Sequence, residues 1–428
     1  MDHPPRPTSR FRAHLTLALC VILHGFTHAY AVILVPLYLM MKSDLHLSGV
    51  KAAALVVTLY GVVYNFGSYA AGILADRWDR RVLLSVGLIG NAMAIALIGL
   101  TRQYHLILLL GIVAGLFGTL FHPAANALAC SHYPRNPGMA IGLLGVGSGL
   151  GFFFGPQYAG WRAEHATWSL DAVSQWQKPC VELGAAGIIF GLIFLLLGAE
   201  AAGEHTRSAT VRLGKRLSRV VLALSAVLGW RDFAATASIT LASIYLQRAC
   251  GKTVGQAGFI IGAMMLLGMI ANPVGVYFSA GRRRLPGLTA VLMTGGAILA
   301  TVPFWPVWAV LIPLCAFQTL QLGSYAMSDA ATLERVSPAV RGRVVGVFLT
   351  CAGTWAAASP WCMGWWTDRM GAAAAQPAAY VAPFATLGSL MWVAAFSPLI
   401  IRRMGRVSGQ KPITLAQEIM PQTMEGVM

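Results

Sequence analysis

Charge is what this chain has least of. Only 11% of its 428 residues are Asp, Glu, Lys or Arg, under half the share of an ordinary soluble domain. Acidic residues number just 15. A water-soluble enzyme, whose surface needs charge throughout, does not fit. Cysteine is sparse as well: seven residues, with no CxxC pair and no metal-ligand spacing, so neither a zinc knuckle nor a redox pair can be built. Most of the thiols lie in apolar runs, where cysteine behaves as a small hydrophobe. Cys180 and Cys250 fall in segments that we place on the outer side, the compartment in which a disulfide is conceivable. No Gly-x4-Gly-Lys-Ser/Thr loop is present to hold ATP, and Gly145-x-Gly147-x-Gly149 follows no strand, so it is not a dinucleotide loop. No acid–base or nucleophile constellation stands out. These absences point to a non-enzyme that needs no cofactor.

What the chain has in excess is apolar length. Hydrophobic residues make up 57%. Stretches with few charges fall at about 14–41, 50–71, 83–101, 104–129, 138–160 and 182–200. A second set follows at about 231–249, 255–280, 287–303, 305–328, 343–366 and 379–401. A helix of about 20 residues crosses a bilayer core of about 30 Å. Six plus six crossings therefore predict an all-α membrane protein of twelve transmembrane helices. Its parts are an N-terminal bundle at 1–200, a linker at 201–230, a C-terminal bundle at 231–406 and a flexible tail at 407–428. Arg212, Lys215, Arg216 and Arg219 share a helical face opposite Leu213, Leu217 and Val220, a pattern for a helix lying on the membrane surface; a plain tether reads equally well. Ala29-Tyr30-Ala31 imitates a signal-peptidase site, but hydrophobicity runs on from Leu15 to Met41, longer than a secretory h-region. We read it as an uncleaved first helix.

Orientation follows from the basic residues. With the N-terminus in the cytoplasm, 23 of the 31 Lys and Arg fall on the inner side, the bias that fixes membrane topology. Both termini are then cytoplasmic, and the net charge of +16 is a topogenic signal spread over short loops, with no patch built for nucleic acid. A bacterial-type inner (cytoplasmic) membrane is the expected location, with the lipid bilayer as the standing partner and a monomer as the expected state.

The two halves repeat one another. Gly61-x3-Asn65 recurs as Gly268-x3-Asn272, Ala124-Ala125 as Ala330-Ala331, and Pro134-x3-Gly138-x3-Gly142 as Pro338-x3-Gly342-x3-Gly346, at offsets of 207, 206 and 204. Three matches in chain order indicate duplication. Paired halves with a solute site between them are a transporter architecture.

The sharpest local signal is the run Gly72-Ile73-Leu74-Ala75-Asp76-Arg77-Trp78-Asp79-Arg80-Arg81. A carboxylate beside three guanidiniums at a helix end can form charge-assisted pairs across an interface, and such pairs must break when two packings alternate. The run resembles the signature loop of the major facilitator superfamily, G-x-L-a-D-r-x-G-R-R/K. The resemblance covers about residues 14–401. It implies two pseudo-symmetric six-helix bundles, close helix packing at Gly72, and a cytoplasmic gate made by Asp76 with Arg77, Arg80 and Arg81. Asp79 departs from the family's Gly as a possible competitor for those arginines, and the matching loop Gly281-Arg282-Arg283-Arg284 has lost its Asp.

A narrower resemblance rests on Phe121-His122-Pro123-Ala124-Ala125-Asn126-Ala127-Leu128, on Gly138 to Pro156, and on His24-Gly25-Phe26-Thr27-His28. These are similar to the fosmidomycin-resistance-like drug transporters, whose members tend to carry an acid near the position of His28. Gly147, Gly151, Gly155 and Pro156 form a stripe suited to close helix packing. The stripe resembles the superfamily's antiporter motif, with Ala159 replacing one Gly. Both resemblances imply efflux of an amphipathic small molecule in exchange for protons.

Polar residues inside apolar helices mark candidate sites, because they are costly in lipid. His24 and His28, four apart, share a helix face and can line a cavity, carry protons, pack, or bind metal; with no third ligand visible along the chain, we expect no metal. His122 and Asn126 either line the same cavity or serve local capping around Pro123. Gln318, Gln321, Tyr325 and Asp329 run along one face of the tenth helix. Asp329 titrates, caps that helix beside Arg335, or pairs with Arg341, three readings of equal weight. Asn65, Asn272, Gln157 and Gln247 are weaker cavity candidates. Proton-coupled secondary transport is therefore the leading expectation. Its rivals are uptake or proton-independent facilitated transport of a small metabolite, and a non-transporting receptor of the same fold. The spacing predicts that His28→Ala impairs solute flux more than His105→Ala in an outer turn; equal and negligible effects in a flux assay would remove the histidine from any coupling role.

Overall fold

A computed structural model describes residues 9–165, 173–200, 213–278, 283–337 and 340–408, with side chains described for all of these except 270–278. Asn272, residues 201–212 of the expected linker and the tail beyond Ser408 lie outside that description. Among the described residues every regular element is helical. The first half runs α1 (Arg10–Val32), α2 (Tyr38–Asp44), α3 (Val50–Ala75), α4 (Arg80–Ile98), α5 (Tyr104–Gly118), α6 (Phe121–His132), α7 (Pro137–Glu164) and α8 (Lys178–Leu197). The second runs α9 (Lys215–Arg248), α10 (Val254–Phe278), α11 (Arg284–Thr301), α12 (Leu311–Leu333), α13 (Arg341–Phe348), α14 (Thr354–Ala357), α15 (Ser359–Arg369), α16 (Val381–Ala394) and α17 (Ser397–Ser408). Taking consecutive pieces such as α1–α2 and α5–α6 together, ten stretches among the described residues are long and apolar enough to cross a membrane. Helices α10 and α12, of 25 and 23 residues, stand where the sequence places its eighth and tenth apolar stretches.

Two hydrophobic clusters organise the chain. One is drawn from Leu17 to Phe194 and takes in only Ile244 and Ile261 from the second half. The other is drawn from Val220 to Met404. Each half therefore buries its own core.

Helix α9 begins earlier than its sequence suggests. It starts at Lys215 and continues unbroken to Arg248, so the described part of the expected surface helix is the first stretch of a long one. The physical reason is its apolar face. Val220, Val221 and Leu224 are buried in the second core, and Leu213 and Leu217 pack against it. That face meets protein, and the charged pair Arg231–Asp232 is buried mid-helix. Cys180 and Cys250 are both free thiols.

Breaks in the helices are placed by proline and satisfied by partners. Pro36 sits in a short 3-10 turn, Val35–Leu37, between α1 and α2. A break of this kind frees carbonyls, which membrane interiors do not tolerate unpaired. Ser243 Oγ donates to the Val35 carbonyl at 2.9 Å and Gln247 Nε2 to the Pro36 carbonyl at 3.0 Å, both from α9.

The glycine stripe of α7 lies against α1. A Cβ at Gly147 would run into the Val21 carbonyl, and one at Gly151 into the Gly25 carbonyl. Gly155 is closed in by Ala29 at 2.9 Å. By contrast Gly138, Gly142 and Gly145, earlier on α7, have nothing within 4 Å. Gly151→Val should therefore destabilise the protein by about 1–3 kcal/mol through overpacking. Gly142→Ala should gain up to about 1 kcal/mol of helix propensity. Thermal unfolding in detergent measures both, and equal shifts would contradict the packing described.

Candidate functional site

Three imidazoles meet in the first half. His24 and His28, one turn apart on α1, point their Nε2 atoms at each other at 3.0 Å. His24 Nδ1 lies 2.6 Å from the Leu144 carbonyl of α7. A carbonyl only accepts, so Nδ1 carries the proton, and neutral His24 must accept at Nε2 from His28. The α7 stripe makes this contact possible by letting the two backbones touch. His122 completes the group. It stands at the start of α6, just past the break that follows α5, and its ring sits edge-on to His24 with centroids 4.9 Å apart. The ligand nitrogens of His24, His28 and His122 all lie within 4.8 Å of one another. Phe121 stacks on His24, and Phe152 packs on His28. His24 is buried, whereas His28 and His122 are half-buried. His122 is thus a member of the cluster and no local cap for Pro123. Asn126, one turn on, is exposed.

A charged network occupies the second half. Arg231 of α9 is fully buried. Its Nε donates to Asp232 Oδ1 at 2.8 Å and its Nη1 to Ser328 Oγ at 2.9 Å. The guanidinium lies 3.8 Å from the centroid of the Tyr325 ring, a desolvated cation–π contact. Asp232 lies within electrostatic reach of Tyr325, and Asp329 within reach of both Arg231 and Asp232. Arg231 Nη2 has no hydrogen-bond partner. Asp329 therefore faces Arg231 rather than the two arginines expected for it. Arg335 and Arg341 donate to the Ala331 and Leu333 carbonyls and so cap the end of α12 themselves.

Sequence reasoning counted Arg231 among the inner-loop cations and overlooked Asp232. The one signal that could have found them is an Arg-Asp pair directly abutting an apolar run. Also missed was an aromatic trio beside this network, with Trp230 edge-on to Trp355 at 5.0 Å and Phe233 tilted at 5.9 Å.

Several buried polar atoms lack partners among the described residues. They include both side-chain polar atoms of Gln321, Oε1 of Gln318, and the hydroxyls of Thr350 and Thr354. Gln318 Nε2 finds only the Met265 sulfur, at 3.8 Å. Thr350 lies in a π-turn, Leu349–Gly353, a helix irregularity frequent at functional positions. Asn65 donates to the Gly61 carbonyl at 2.8 Å and would block any Cβ at Gly353, so it packs at the contact of the two halves. Gln157 lies apart from these. It lines a cavity of about 730 Å³ between α7 and α10, with Tyr158, Trp161, Lys252, Gln256 and Phe259.

The two ends of the molecule differ. At one end the halves exchange backbone hydrogen bonds. Asp368, at the end of α15, accepts from the Val50 and Lys51 N–H groups at 2.7 and 3.0 Å. These are the first residues of α3, whose N–H groups have no partner within the helix. Glu164, the last residue of α7, accepts from the Gly255 N–H at 2.8 Å at the start of α10. Glu164 and Asp368 are 204 residues apart, the offset that relates Gly142 to Gly346. The clamp is duplicated with the fold. At the other end Gly72, Gly138, Gly142, Gly342 and Gly346 have nothing within 4 Å, and Asp76 and Arg77 are exposed.

Comparison with known proteins agrees with this architecture. The family model described as Major Facilitator Superfamily matches residues 17–360. The chain belongs to the major facilitator superfamily. It is a multi-pass membrane protein of a transport family, not an enzyme. The chain is 27% identical over 300 residues to the multidrug resistance protein MdtG of Escherichia fergusonii, covering 67% of this chain and 68% of that protein. It is 36% identical over 110 residues to MdtG of Citrobacter koseri, covering 25% and 27%. Among solved structures, a bacterial homologue of the human lysosomal transporter Spinster, inward-facing and unoccupied, superposes with a TM-score of 0.74 at 16% identity, over 95% of this chain and all of that one. The nucleoside transporter NupG gives 0.69 at 14% identity, over 90% and 99%.

In this superfamily member the signature loop pairs differently from the expectation. No ion pair to Asp76 occurs among the described residues. Arg80 turns instead to Glu200, at 3.7 Å, whose carboxylate also accepts from the Arg80 N–H at 2.7 Å. Asp79 accepts from the Val82 N–H at 3.0 Å; it is the N-cap of α4, which accounts for an acid where the family has Gly. In the second half Arg284 pairs with Glu334 at the end of α12, a carboxylate replacing the Asp lost from its loop.

Removing one acceptor should loosen the closed end. Losing an N-cap costs about 0.5–2 kcal/mol, or roughly 2- to 30-fold in an equilibrium. Asp368→Ala and Glu164→Ala should each raise the population of the separated state by that factor. Spin labels at the exposed Ser48 and Ala372 would read the distance across that end. An unchanged distance distribution in both variants would rule out the clamp.

Proposed function

We propose that the chain is a secondary active transporter that expels an amphipathic small molecule in exchange for protons. Its twelve crossings form two six-helix bundles, at 1–200 and 231–406, with α10 and α12 as the remaining two spans. The termini and the Asp76 loop face the cytoplasm, as the basic bias requires, and the protein sits in the inner membrane as a monomer. The Asp368 end then faces outward and is closed, so the solute space opens to the cytoplasm. The exposed Asp76 and Arg77, with the half-buried Arg80 and Arg81, latch that side when the halves rock, with Gly72 allowing the close approach.

One observation carries the coupling assignment: Asp232 pairs with the buried guanidinium of Arg231 at 2.8 Å, and a second carboxylate, Asp329, lies within electrostatic reach of both. One cation cannot neutralise two carboxylates, and an uncompensated charge is expensive in a membrane interior. Taking up one proton makes the cluster neutral. Asp329, the exposed member, is the group that exchanges it with the solute space. The acid absent from the first helix is thereby replaced in the other half. Solute recognition falls to the unpaired amides and hydroxyls of Gln318, Gln321, Thr350 and Thr354 beside the Trp230–Phe233–Trp355 trio, a mixture suited to an amphipathic organic compound. The naming of the MdtG relatives as multidrug resistance proteins supports efflux over uptake.

The test is transport in proteoliposomes with an imposed pH gradient and a pH dye in the lumen. The wild-type chain should move solute against its gradient with counterflow of protons. Asp329→Asn should abolish the response to the gradient while leaving solute binding within a few-fold. Flux indifferent to the gradient in the wild-type protein would dispose of antiport.

A further inference from the structure

We infer that His24, His28 and His122 form a binding site for a late first-row divalent transition-metal ion such as Zn2+ or Ni2+. The sequence shows only two of these histidines near each other; the third arrives through the fold, from the start of α6. Three convergent imidazoles and an open position are the donor set of exposed-face zinc centres. With no carboxylate or carbonyl among the three ligands, the set selects against Mg2+ and Ca2+, which require oxygen.

Two features beyond proximity point to a metal. The first is orientation of the buried ligand. His24 gives its Nδ1 proton to the Leu144 carbonyl at 2.6 Å, the outer-shell contact that fixes the tautomer of metal-binding histidine and directs Nε2 at the ion. The second is the Nε2–Nε2 separation of 3.0 Å between His24 and His28. Two nitrogens at about 2.05 Å from a tetrahedral ion stand about 3.3 Å apart, so that pair already has the required spacing. The remaining nitrogen separations reach at most 4.8 Å, and the His122 ring needs to close by no more than about 1.5 Å to reach the tetrahedral distance. Aromatic packing by Phe121 and Phe152 encloses the cluster, while His28 and His122 stay partly open. The vacant coordination position therefore lies on their side. The site is in the first half and separate from the Arg231–Asp232–Asp329 cluster, so it does not depend on the coupling assignment above.

The experiment is a Co2+ titration of the full-length chain, purified in detergent and stripped with chelator, followed by visible absorption and competed with Zn2+. One equivalent of Co2+ should give the bands of a tetrahedral nitrogen site, and Zn2+ should abolish them. His122→Gln and His28→Gln should each weaken binding by at least about 100-fold, beyond the range typical of an outer-shell loss. His105→Gln and His165→Gln, both on exposed residues, should bind as the wild type does. Zn2+ should also raise the unfolding temperature of the wild-type chain, because it binds the native state; that measurement holds even where a variant fails to fold. Absence of both the bands and the thermal shift in the wild-type chain overturns the assignment. So does retention of the bands, within about threefold in affinity, by His122→Gln and His28→Gln.

Discussion

The rest of the structure depends on how helix starts are satisfied where the two halves meet. The first turn of a helix leaves N–H groups without partners. For α3 and α10 the acceptors come from the opposite half, as Asp368 and Glu164. Closure of that end thus adds hydrogen bonds to backbone to the close packing of α10 on α7 and of α15 on α3, where a Cβ at Gly258 would meet the Pro156 carbonyl and one at Gly364 the Lys51 backbone. This choice suits a reversible contact. A carboxylate cap is worth about 0.5–2 kcal/mol, and water at the membrane surface can replace it when the halves part. A closure made of apolar area would gain about 25 cal/mol for every Å² buried and would be far harder to reopen. The two caps are related by the fold's own repeat, Glu164 and Asp368 standing 204 residues apart.

Such a contact works only if each half moves as a body. The α7 stripe supplies rigidity in the first half, since Gly147, Gly151 and Gly155 bring its backbone against α1 with no side chain between. The same approach sets the histidine geometry, because His24 can reach the Leu144 carbonyl only across a contact of that kind. Farther along α7, Gly138 and Gly142 have open space where a Cβ would lie, and so do their repeat equivalents Gly342 and Gly346. Glycines in one helix thus do two jobs: fixed packing toward α1 and a smooth face toward the gap between the halves.

Much of this was legible in the sequence, and the failures have physical causes. Apolar periodicity located the crossings because lipid imposes a uniform demand along each helix. The repeat was visible because three spaced matches fall in chain order at nearly one offset. The start of α9 was misplaced because the basic run Arg212 to Arg219 reads as part of a polar linker, and only the fold reveals that Arg231 and Asp232 pair beside Tyr325 and Ser328. The signature loop was recognised, but its pairing was not: Arg80 turns to Glu200, a residue that spacing alone does not bring to the loop. Likewise His122 could not be joined to His24 and His28 from spacing alone. About a hundred residues separate them in the chain, and a break between α5 and α6 sets the final angle.

Helix α9 connects the chemistry of one half to the contact with the other. It carries Arg231 at the acid cluster and, 12 and 16 residues later, Ser243 and Gln247, which hold the carbonyls freed at Val35 and Pro36. At 1.5 Å per residue these lie about 18 and 24 Å away, with no break between them. The neighbouring spans are interrupted: α1 gives way to α2 at Pro36, α5 to α6 at Thr119, and α13 to α14 at the π-turn. Arg231 and Gln247 are therefore joined through one unbroken helix, whereas a shift in a broken span is absorbed at its break. At 34 residues α9 is the longest of the described helices, and it joins the buried Arg231–Asp232 pair to the contact with the first half in one piece.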